Sequence, residues 1–394
     1  MKCKLCLSNK SFEFLDLGKQ PMANKYPKKE DFKNEKFFRV KVYFCPNCKH
    51  ISLGKLVSRD DMFVDYYYLS SVNKVLVEHY ENFARTKLRD AKFVVDVGSN
   101  DGISLKPLKE MGIKAIGIDP SVNVGKIANE AGYETIVDFL DTKSVKYIKD
   151  NYGKPDVVTG LSMFSHLQDP HVFLEDIKDL MTDNGRLIIE VEYNKLMLEK
   201  MAFERFYLDR INYFSATSFQ KLFKKHGMYL QDVEVTPIHG GSLRVTAQKK
   251  GKGKNPTVRV SRLLADEAKN LTAKMVCEFG ANAVKAIEDL VFKLGEYKAD
   301  GLTIAGYGSP ARVATLTNFG GIGTDLIDFI VDDSPLKQNR FSPGKHIPIV
   351  SNEYLTDHPK DVLVFFAYES FNDILKKLSH KAIYVFPIPV REVQ

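Results

Sequence analysis

Four of the five cysteines occur in two pairs, each with two residues between its members. The first pair is Cys3 and Cys6, and the second is Cys45 and Cys48. Two intervening residues let both thiolates of a pair reach one ion from a tight turn, and two pairs complete a tetrahedral shell. A shell closed by four sulfurs has no position for water, so the sequence predicts a structural zinc ion that takes no part in chemistry.

The fifth cysteine, Cys277, lies in the apolar helical pattern of residues 273–277, and we expect it to be buried as a small hydrophobic residue. An odd number of cysteines argues against a complete disulfide framework, and paired thiolates suit a reducing compartment. The N-terminus has no apolar signal core, and no stretch approaches the roughly 18 to 20 apolar residues of a membrane span. We therefore expect a cytoplasmic protein with no membrane partner.

A glycine-rich turn follows the apolar run of residues 93–97. Gly98 and Gly102 bracket the turn, and glycine lets a ligand approach the backbone closely. About twenty residues later a second apolar run ends in Asp119, and a carboxylate at that spacing accepts hydrogen bonds from ribose hydroxyls. The full dinucleotide fingerprint is missing. A tight strand-to-helix turn without a ligand is the simpler alternative.

The turn looks like the first motif of S-adenosylmethionine-dependent methyltransferases. On this interpretation Asp96 orients the turn, the backbone from Gly98 to Gly102 approaches the ligand, and Asp119 holds the ribose. Asp138 and Phe139 follow the next short strand, and they are candidates for contact with the adenine. The predicted cofactor residues are therefore Asp96, Gly98, Asn100, Asp101, Gly102, Asp119, Asp138 and Phe139.

The pattern of strands and helices around these residues predicts an α/β fold. Residues 1–75 form a small zinc-binding domain with short strands such as residues 38–44, whose alternation suits half-buried strands. Residues 76–250 alternate strands and helices, which is typical of a Rossmann-like parallel sheet. Residues 251–300 form a helical connection of one or two helices. Residues 301–394 form a second, smaller Rossmann-like domain with a parallel sheet.

Several unlinked motifs resemble the nucleotide-sugar C-methyltransferases that act on keto-deoxysugars. Besides the cysteine pairs, they are the runs at residues 97–102, 239–244, 306–312, 331–333 and 343–349. The resemblance implies a three-domain enzyme in which a nucleoside diphosphate sugar lies between the methyltransferase core and the C-terminal domain. A base removes a proton beside a ketone, and the enolate attacks the methyl group of S-adenosylmethionine.

The same resemblance implies which residues form the site. Tyr68, in the tyrosine and serine segment of residues 65–71, and His166, after the fourth strand, are carried over as active-site groups. Tyr207 and Tyr213 flank a further motif. Arg244 and Arg312 each sit near glycines, which suits bidentate binding of a diphosphate. The implied substrate-binding residues are His239, Ser242, Arg244, Tyr307, Arg312, Asp332 and Lys337.

The chain departs from this family at one motif. Where the family has a Glu-His pair whose histidine is the candidate base, this chain has Asp209 and Arg210, and arginine cannot accept a proton at neutral pH. One interpretation makes Asp209, Tyr207 or His166 the base. In a second, the methyl group goes to an oxygen or another acceptor, and in a third Arg210 binds an anionic group of an unusual substrate. A nonenzymatic nucleotide-sugar binding protein is a further alternative.

Composition and charge agree with a globular protein that handles an anion. Hydrophobic residues make up 44% and charged residues 27% of the 394 residues, which is ordinary for a globular chain. The net charge of +7 comes from 57 basic and 50 acidic residues spread along the sequence. We expect no nucleic-acid partner, because this charge is diffuse, whereas a modest positive field attracts a phosphorylated small molecule. The oligomeric state is not indicated.

Overall fold

The computed structural model describes residues 1–54, 57–58, 69–251, 255–376, 378 and 381–393. The strands are β1 (Phe12–Gln20), β2 (Phe38–Cys45), β3 (His50–Leu53), β4 (Phe93–Val97), β5 (Lys114–Ile118), β6 (Thr135–Ile136), β7 (Val157–Leu161), β8 (Arg186–Glu192), β9 (Asn212–Tyr213), β10 (Met228–Thr236), β11 (Ser242–Lys249), β12 (Ile304–Tyr307), β13 (Ile330–Val331), β14 (Ile349–Val350), β15 (Val362–Phe365), β16 (Ile383–Pro387) and β17 (Val390–Val393). The helices are α1 (Lys74–Lys87), α2 (Leu105–Glu110), α3 (Val122–Glu130), α4 (Thr142–Tyr152), α5 (Pro170–Leu180), α6 (Asn194–Glu199), α7 (Ala216–Lys225), α8 (Val258–Asn270), α9 (Ala273–Ala299), α10 (Arg312–Gly320), α11 (Asn352–Asp357) and α12 (Phe371–Leu375).

The N-terminal sheet is antiparallel and has the strand order β1-β2-β3-β9. Strand β2 alternates buried and half-buried side chains, as the sequence predicts for residues 38–44. The fourth strand, β9, comes from far along the chain, because Ile51 pairs with Tyr213 and Ser52 with Asn212. A short segment between β8 and β10, two strands of the central sheet, therefore completes the sheet that carries the cysteines.

The central sheet has seven strands in the order β10-β11-β8-β7-β4-β5-β6. Strands β4 to β8 are parallel, whereas β10 and β11 form an antiparallel pair that joins β8. All five side chains of β4 are buried, as are those of β7, which is typical of strands covered by helices on both faces. The predicted Rossmann-like core is confirmed.

The C-terminal sheet has six strands in the order β14-β13-β12-β15-β16-β17. Its first five strands are parallel, and β17 pairs antiparallel with β16. The sequence predicts a strand over residues 326–333, but the strand covers only Ile330 and Val331. The predicted second Rossmann-like sheet is confirmed, with one antiparallel strand at its edge that the apolar pattern does not indicate.

One hydrophobic core joins the N-terminal sheet to the C-terminal sheet through helix α9. Val40 and Val42 of β2 belong to the same buried cluster as Phe279 of α9 and Val364 of β15. Close packing at this junction depends on Gly280, where an added Cβ would lie 2.0 Å from the carbonyl oxygen of Phe14. The two terminal sheets are thus parts of one folded unit.

The prediction for Cys277 is wrong, because its side chain is exposed. Helix α9 buries Val276, Phe279, Gly280 and Ala283. One residue along a helix turns the side chain by about 100°, so Cys277 points away from the face that Val276 buries. Within the described part of the chain, no helix is long and apolar enough to cross a membrane.

Candidate active site

The four paired cysteines converge in the N-terminal domain. Their sulfurs all lie within 4.8 Å of one another, and the Sγ atoms of Cys3 and Cys48 are 3.6 Å apart, as are those of Cys6 and Cys45. Zinc–sulfur bonds of about 2.3 Å in a tetrahedron separate the sulfurs by about 3.8 Å. The cysteines form no disulfide, so the donor set fits zinc.

Each cysteine pair lies in a tight turn that aims both sulfurs inward. The amide of Leu7 donates to the Cys3 carbonyl at 3.0 Å, and the amide of Lys49 donates to the Cys45 carbonyl at 2.8 Å. The side-chain amide of Asn47 also donates to the Cys6 sulfur at 3.3 Å. A hydrogen bond to a thiolate stabilises its charge, as outer contacts commonly do in metal sites.

The predicted cofactor turn follows β4. Asp96 is buried and accepts hydrogen bonds from the Thr159 hydroxyl at 2.5 Å and from the Ser104 hydroxyl. Burial raises the pKa of Asp96 to about 6, although these hydrogen bonds oppose the shift. Asp96 thereby ties the turn to the start of the helical segment that follows and to β7.

Asp119 lies at the carboxyl end of β5 and faces the same turn. Its two carboxylate oxygens accept hydrogen bonds from the amides of Asn100 and Ser121, each at 2.9 Å. Burial raises the pKa of Asp119, and the two amides oppose that shift. Each oxygen uses one acceptor position for an amide, which leaves another for a ligand hydroxyl.

The glycines of the turn meet side chains more closely than the sequence suggests. Gly98 has a φ of +74°, and an added Cβ would lie 2.7 Å from the Cβ of Met163. Gly102 has a φ of +84°, and an added Cβ would lie 2.5 Å from the Tyr133 ring. Gly98 borders the cavity, whereas Gly102 packs against Tyr133 and does not line it.

A cavity of about 660 Å³ opens where the carboxyl ends of the strands in the two α/β sheets meet. Carboxyl ends of parallel strands are the usual place for ligands in such sheets. The central sheet contributes the turns after β4, β5, β7 and β8, and the C-terminal sheet contributes the segment after β12. Of the predicted residues, the following line the cavity: Asp96, Gly98, Asn100, Asp119, Asp138, Phe139, His166, Tyr207, Arg210, His239, Arg312 and Lys337.

The cofactor end of the cavity fits S-adenosylmethionine. Ser99 lines the cavity, and its hydroxyl is buried without a hydrogen-bond partner among the described residues. Of the residues that the structure describes, six aspartates also line the cavity, from the ends of β4 and β5, the segment after β6, and α5 with its N-terminal cap: Asp96, Asp119, Asp138, Asp141, Asp169 and Asp176. An acidic wall with an unsatisfied hydroxyl suits a cofactor that carries a sulfonium and an ammonium group.

Arg210 is buried and forms an ion pair with a carboxylate of the chain. Its guanidinium contacts the carboxylate of Glu192, at the end of β8, and Arg205 binds the same carboxylate at 2.8 Å. Burial alone would raise the pKa of Glu192, but Arg210 and Arg205 lower it to about 2. One carboxylate thus holds two arginines at the cavity wall, and the Nε of Arg210 has no hydrogen-bond partner in the described ranges.

The three proposed bases have different surroundings. Asp209 does not line the cavity, since its carboxylate is buried and accepts a hydrogen bond from Asn24. The ring of His166 contacts the Asp209 carbonyl oxygen through Nδ1, and burial, with Arg210, lowers its pKa to about 4. Burial raises the pKa of Tyr207, so its phenol keeps its proton at neutral pH.

The C-terminal domain brings two cations to the cavity. Arg312, the first residue of α10, binds Glu369 at 2.7 Å, while its Nε and Nη1 are buried without hydrogen-bond partners among the described residues. Lys337 donates to the carbonyl of Ser309 at 2.9 Å and contacts Asp332 at 3.3 Å. The ammonium and the guanidinium thus border one cavity.

Several predicted site residues face elsewhere. The Tyr213 hydroxyl donates to the Arg205 carbonyl at 2.9 Å, and the Ser242 hydroxyl donates to the Ile238 carbonyl at 3.0 Å. Asp101 accepts a hydrogen bond from the Ser71 amide at 3.0 Å. None of these three predicted side chains lines the cavity, because each makes a local contact that fixes the backbone. Tyr68 lies outside the described residues.

Arg244, Tyr307 and Asp332 also lie off the cavity. Arg244 belongs to a buried cluster in which it binds Glu190 at 2.7 Å. The Tyr307 hydroxyl donates to Asn352, and Asp332 accepts from the Ser309 amide at 2.6 Å. The prediction that Arg244 reaches the diphosphate is not supported, because strand β11 directs it to the opposite charge of Glu190.

Among the described residues, sequence reasoning missed six charged residues of the cavity: Asp141, Asp169, Asp176, Glu192, Arg205 and Glu369. Glu192 could have been found, because it ends an apolar run next to the strands that carry the cofactor turn. Arg205 follows a glutamate inside an aromatic run, where an uncompensated charge would be costly. Its partner Glu369 lies 164 residues away, and no local pattern connects the two.

Three family models match the chain in succession. They describe a zinc binding domain over residues 3–63, a methyltransferase domain over residues 68–233 and a C-methyltransferase C-terminal domain over residues 237–389. The matches follow the order of the three sheets along the chain, but the C-terminal match begins before β11 and so includes one strand of the central sheet. The chain is therefore an S-adenosylmethionine-dependent methyltransferase with a structural zinc site.

Known relatives cover the chain to different extents. The C-methyltransferase NovU of Streptomyces niveus is 28% identical over 98% of this chain and 95% of that protein. A ubiquinone biosynthesis O-methyltransferase of Azorhizobium caulinodans is 32% identical over 31% of this chain and 49% of that enzyme. Magnesium protoporphyrin IX methyltransferase ChlM from Synechocystis, solved with its cofactor bound, is 15% identical with a TM-score of 0.34, over 44% of this chain and 78% of that chain. The chain is thus similar to the C-methyltransferase NovU over nearly its whole length, and the resemblance to C-methyltransferases that its motifs predict is confirmed.

Proposed function

We propose that this C-methyltransferase acts on a keto-deoxysugar carried by a nucleoside diphosphate, and that it methylates the carbon beside the ketone through an enolate. The observation that carries the proposal is the pair of unsatisfied donors on Arg312. A guanidinium that is 7% exposed and leaves Nε and Nη1 without hydrogen-bond partners in the described ranges favours an anionic ligand.

The charges along the cavity support the same substrate class. The cations that line it among the described residues, Arg205, Arg210, Arg312 and Lys337, come from segments outside the cofactor turns. Arg205 and Arg210 share the carboxylate of Glu192. Arg312 instead keeps two donors without hydrogen-bond partners among the described residues, and Lys337 of the same domain lines the same cavity, so Arg312 and Lys337 are the better candidates for a diphosphate. Arg312 also begins α10, where the first amides of a helix favour negative charge. A diphosphate bound there would hold its sugar in the cavity that the cofactor turn borders.

The residues of the chain have separate tasks in this proposal. Asp119 accepts hydrogen bonds from the cofactor ribose, while Arg312 and Lys337 fix the diphosphate. When bound, S-adenosylmethionine supplies the methyl group to the enolate carbon. The buried walls of the cavity, among them Leu161 and Phe173, keep water from the enolate.

The test combines hydrogen exchange with product analysis. Purified protein is incubated in D2O with nucleoside diphosphate keto-deoxysugars, first without and then with S-adenosylmethionine. We expect deuterium to enter the carbon beside the ketone before the cofactor is added. Proton and carbon NMR of the final product should then show a new carbon–carbon bond to the methyl group.

Two other outcomes distinguish the alternatives. Methylation of an oxygen without deuterium exchange would refute the enolate and support an O-methyltransferase. Tight binding of the nucleotide sugar without exchange or turnover would support a binding protein that has lost its base. The matched control is the deoxysugar nucleotide without the ketone, which should bind but not exchange.

A further inference from the structure

His239 is an imidazole on the cavity wall to which the family resemblance assigns no proton transfer. It lies in the short turn Ile238–Gly240 between β10 and β11 and lines the cavity. Its φ of +53° is in the left-handed region, which is uncommon for residues other than glycine. Strained backbone of this kind tends to occur at functional sites.

The ring of His239 is held less tightly than that of His166. Neither ring nitrogen of His239 has a hydrogen-bond partner among the residues that the structure describes. The His166 ring is in contact with the backbone carbonyls of both Asp209 and Ser162. Carbonyl oxygens accept hydrogen bonds, so these contacts orient His166 toward the backbone. His239 is the cavity imidazole with nitrogens open to a substrate.

Charged groups of both signs act on His239. They are Arg210 and Arg205, which both pair with Glu192, and the carboxylates of Glu192 and Glu190. Burial comes first among the causes that lower the pKa of His239 to about 4, and Arg210 is the next. The imidazole is therefore unprotonated at neutral pH. Negative charge on a nearby substrate would raise that pKa as a proton arrives.

Arg210 complements this imidazole. Its Nε is a buried donor that no described residue satisfies, and the guanidinium borders the cavity with Glu192 holding its other side. A fixed cation with an unused N–H is suited to the negative charge that develops on an enolate oxygen. The arginine at this position would then stabilise the anion, and the base must lie elsewhere.

On the basis of the proposed function, we infer that His239 is the general base and that Arg210 donates Nε–H to the enolate oxygen. A ring nitrogen of His239 takes the proton from the carbon beside the ketone, and a new N–H bond replaces the broken C–H bond. The C–H electron pair forms the carbon–carbon double bond, and the carbonyl pair moves to the oxygen that Arg210 faces. The imidazolium later releases its proton to water.

Deuterium exchange without cofactor tests this half-reaction directly. His239→Asn and His239→Gly are suitable variants, because asparagine and glycine adopt left-handed φ more readily than other residues. We expect both to exchange at least about 100-fold more slowly than the native protein. Added imidazole should restore exchange in His239→Gly, whereas it should not change the exchange rate of His166→Gly.

The matched controls are His346→Asn and His346→Gly. His346 has a φ of +52° like His239, but it stacks on Phe32 and contacts Glu35, away from the cavity. These variants should exchange at the native rate. Calorimetry with S-adenosylhomocysteine verifies that each variant is folded and binds the cofactor product.

A second measurement distinguishes whether Arg210 stabilises the enolate oxygen or binds an anionic group of the substrate. Arg210→Met should slow exchange by about 100- to 1,000-fold while the nucleotide-sugar Kd stays within about three-fold, because an oxyanion donor acts on the transition state. A large loss of affinity with an unchanged exchange rate would instead make Arg210 a substrate-anion ligand and overturn its assignment.

The outcomes also separate this inference from the proposed function. If the native protein does not exchange any keto-sugar nucleotide, the enolate function itself fails. If the native protein exchanges and His239→Asn does so within about three-fold of it, the base is another group. A folded His239→Gly that imidazole does not rescue would likewise overturn the assignment.

Discussion

Asp119 and Asp209 are both buried carboxylates near the cavity, but different groups hold them. Asp119 is fixed by two backbone amides at the end of a central strand, and it faces the cofactor end of the cavity. Asp209 has the side chain of Asn24 as a partner and is turned away from the cavity. The arrangement of Asp119 suits ligand binding, whereas burial of the Asp209 carboxylate lowers the stability of the folded protein.

Asp119→Asn should weaken binding of S-adenosylhomocysteine by about 10- to 100-fold. The amide keeps the size of the side chain, but it loses the charge and one acceptor, and hydrogen bonds to charged groups contribute about 1.5–3 kcal/mol. Titration calorimetry measures the change. Asp183→Asn, at an exposed carboxylate beside Lys249, is the control. Equal affinities for Asp119→Asn and the native protein would show that Asp119 does not hold the ribose.

Asp209 should make stability depend on pH. Burial raises its pKa to about 6 in the folded protein, even though Asn24 and Arg210 oppose the shift. The ionised carboxylate therefore destabilises the folded state, and this penalty disappears as the pH falls from about 6 to about 4. Asp209→Asn, which does not titrate, should be more stable than the native protein at pH 7 by of order 2 kcal/mol.

Denaturant unfolding at several pH values checks the prediction for Asp209. The difference in the free energy of unfolding between Asp209→Asn and the native protein should shrink below pH 6 and be small at pH 4. A difference that does not change across this range would contradict a raised pKa. Sequence reasoning treated Asp209 as a candidate base, because the motif alone does not indicate which way the side chain faces.

The β2–β3 hairpin shows what holds the N-terminal sheet together. Cys45 ends β2, Cys48 lies in the connecting turn, and His50 begins β3. The ion therefore closes the hairpin onto the N-terminal cysteines. Because a structural zinc site contributes folding energy directly, removal of one ligand should loosen the whole sheet.

Cys48→Ser should lose zinc and lower the melting temperature of the protein. The Cys48 side chain is fully buried, and a serine hydroxyl is a poor replacement for a thiolate ligand. Zinc content by elemental analysis and thermal unfolding are the measurements. Cys277→Ser is the matched control, since Cys277 is exposed on α9 and should keep both values native. Retention of one zinc per chain in Cys48→Ser would refute the four-sulfur site.

Two glycines of helix α9 should respond oppositely to the same substitution. Alanine normally stabilises a helix by about 1 kcal/mol relative to glycine, and Gly295→Ala should do so, because no atom lies within 4 Å of an added Cβ. Gly280→Ala should destabilise the protein, since its Cβ would lie 2.0 Å from the Phe14 carbonyl oxygen. Denaturant unfolding of both variants measures the sign of the change in the free energy of unfolding. A stabilising Gly280→Ala would contradict the packing of α9 on β1.

The sequence predicted most elements because their signals are local. The apolar run 93–97, its glycine turn and the carboxylate of Asp119 all lie within one strand–helix–strand unit. The direction of Arg244 is a tertiary feature, since its partner Glu190 belongs to the neighbouring strand β8. The charge pairs of the cavity are of the same kind, and only the folded chain brings them together.

The cavity depends on all three sheets. The N-terminal domain contributes Asn24 and Tyr26, the central sheet the cofactor turns, and the C-terminal domain Arg312 and Lys337. Ion pairs join the last two parts, since Glu369 contacts both Arg205 and Arg312. Substitutions in the C-terminal domain should therefore change the affinity for the substrate, and substitutions in the central domain should change the affinity for the cofactor.

Arg312→Gln should raise the Kd for the nucleotide sugar by about 10- to 100-fold and leave the affinity for S-adenosylhomocysteine unchanged. The estimate follows from the loss of charge-assisted hydrogen bonds to an anion. Calorimetry with each ligand measures the two effects separately. Arg262→Gln, at an exposed arginine of α8, is the control. A native Kd for the nucleotide sugar would exclude Arg312 from diphosphate binding.

Strand β9 has a practical consequence for protein engineering. Ser52 and Ile51 pair with Asn212 and Tyr213, so the edge of the cysteine-bearing sheet is supplied by a segment that a cut near residue 75 would leave behind. A chimera that takes only the first 75 residues from a homologue would combine a foreign sheet with a native edge strand. Modular exchange between such enzymes should therefore transplant the segment around residues 203–214 together with the N-terminal domain.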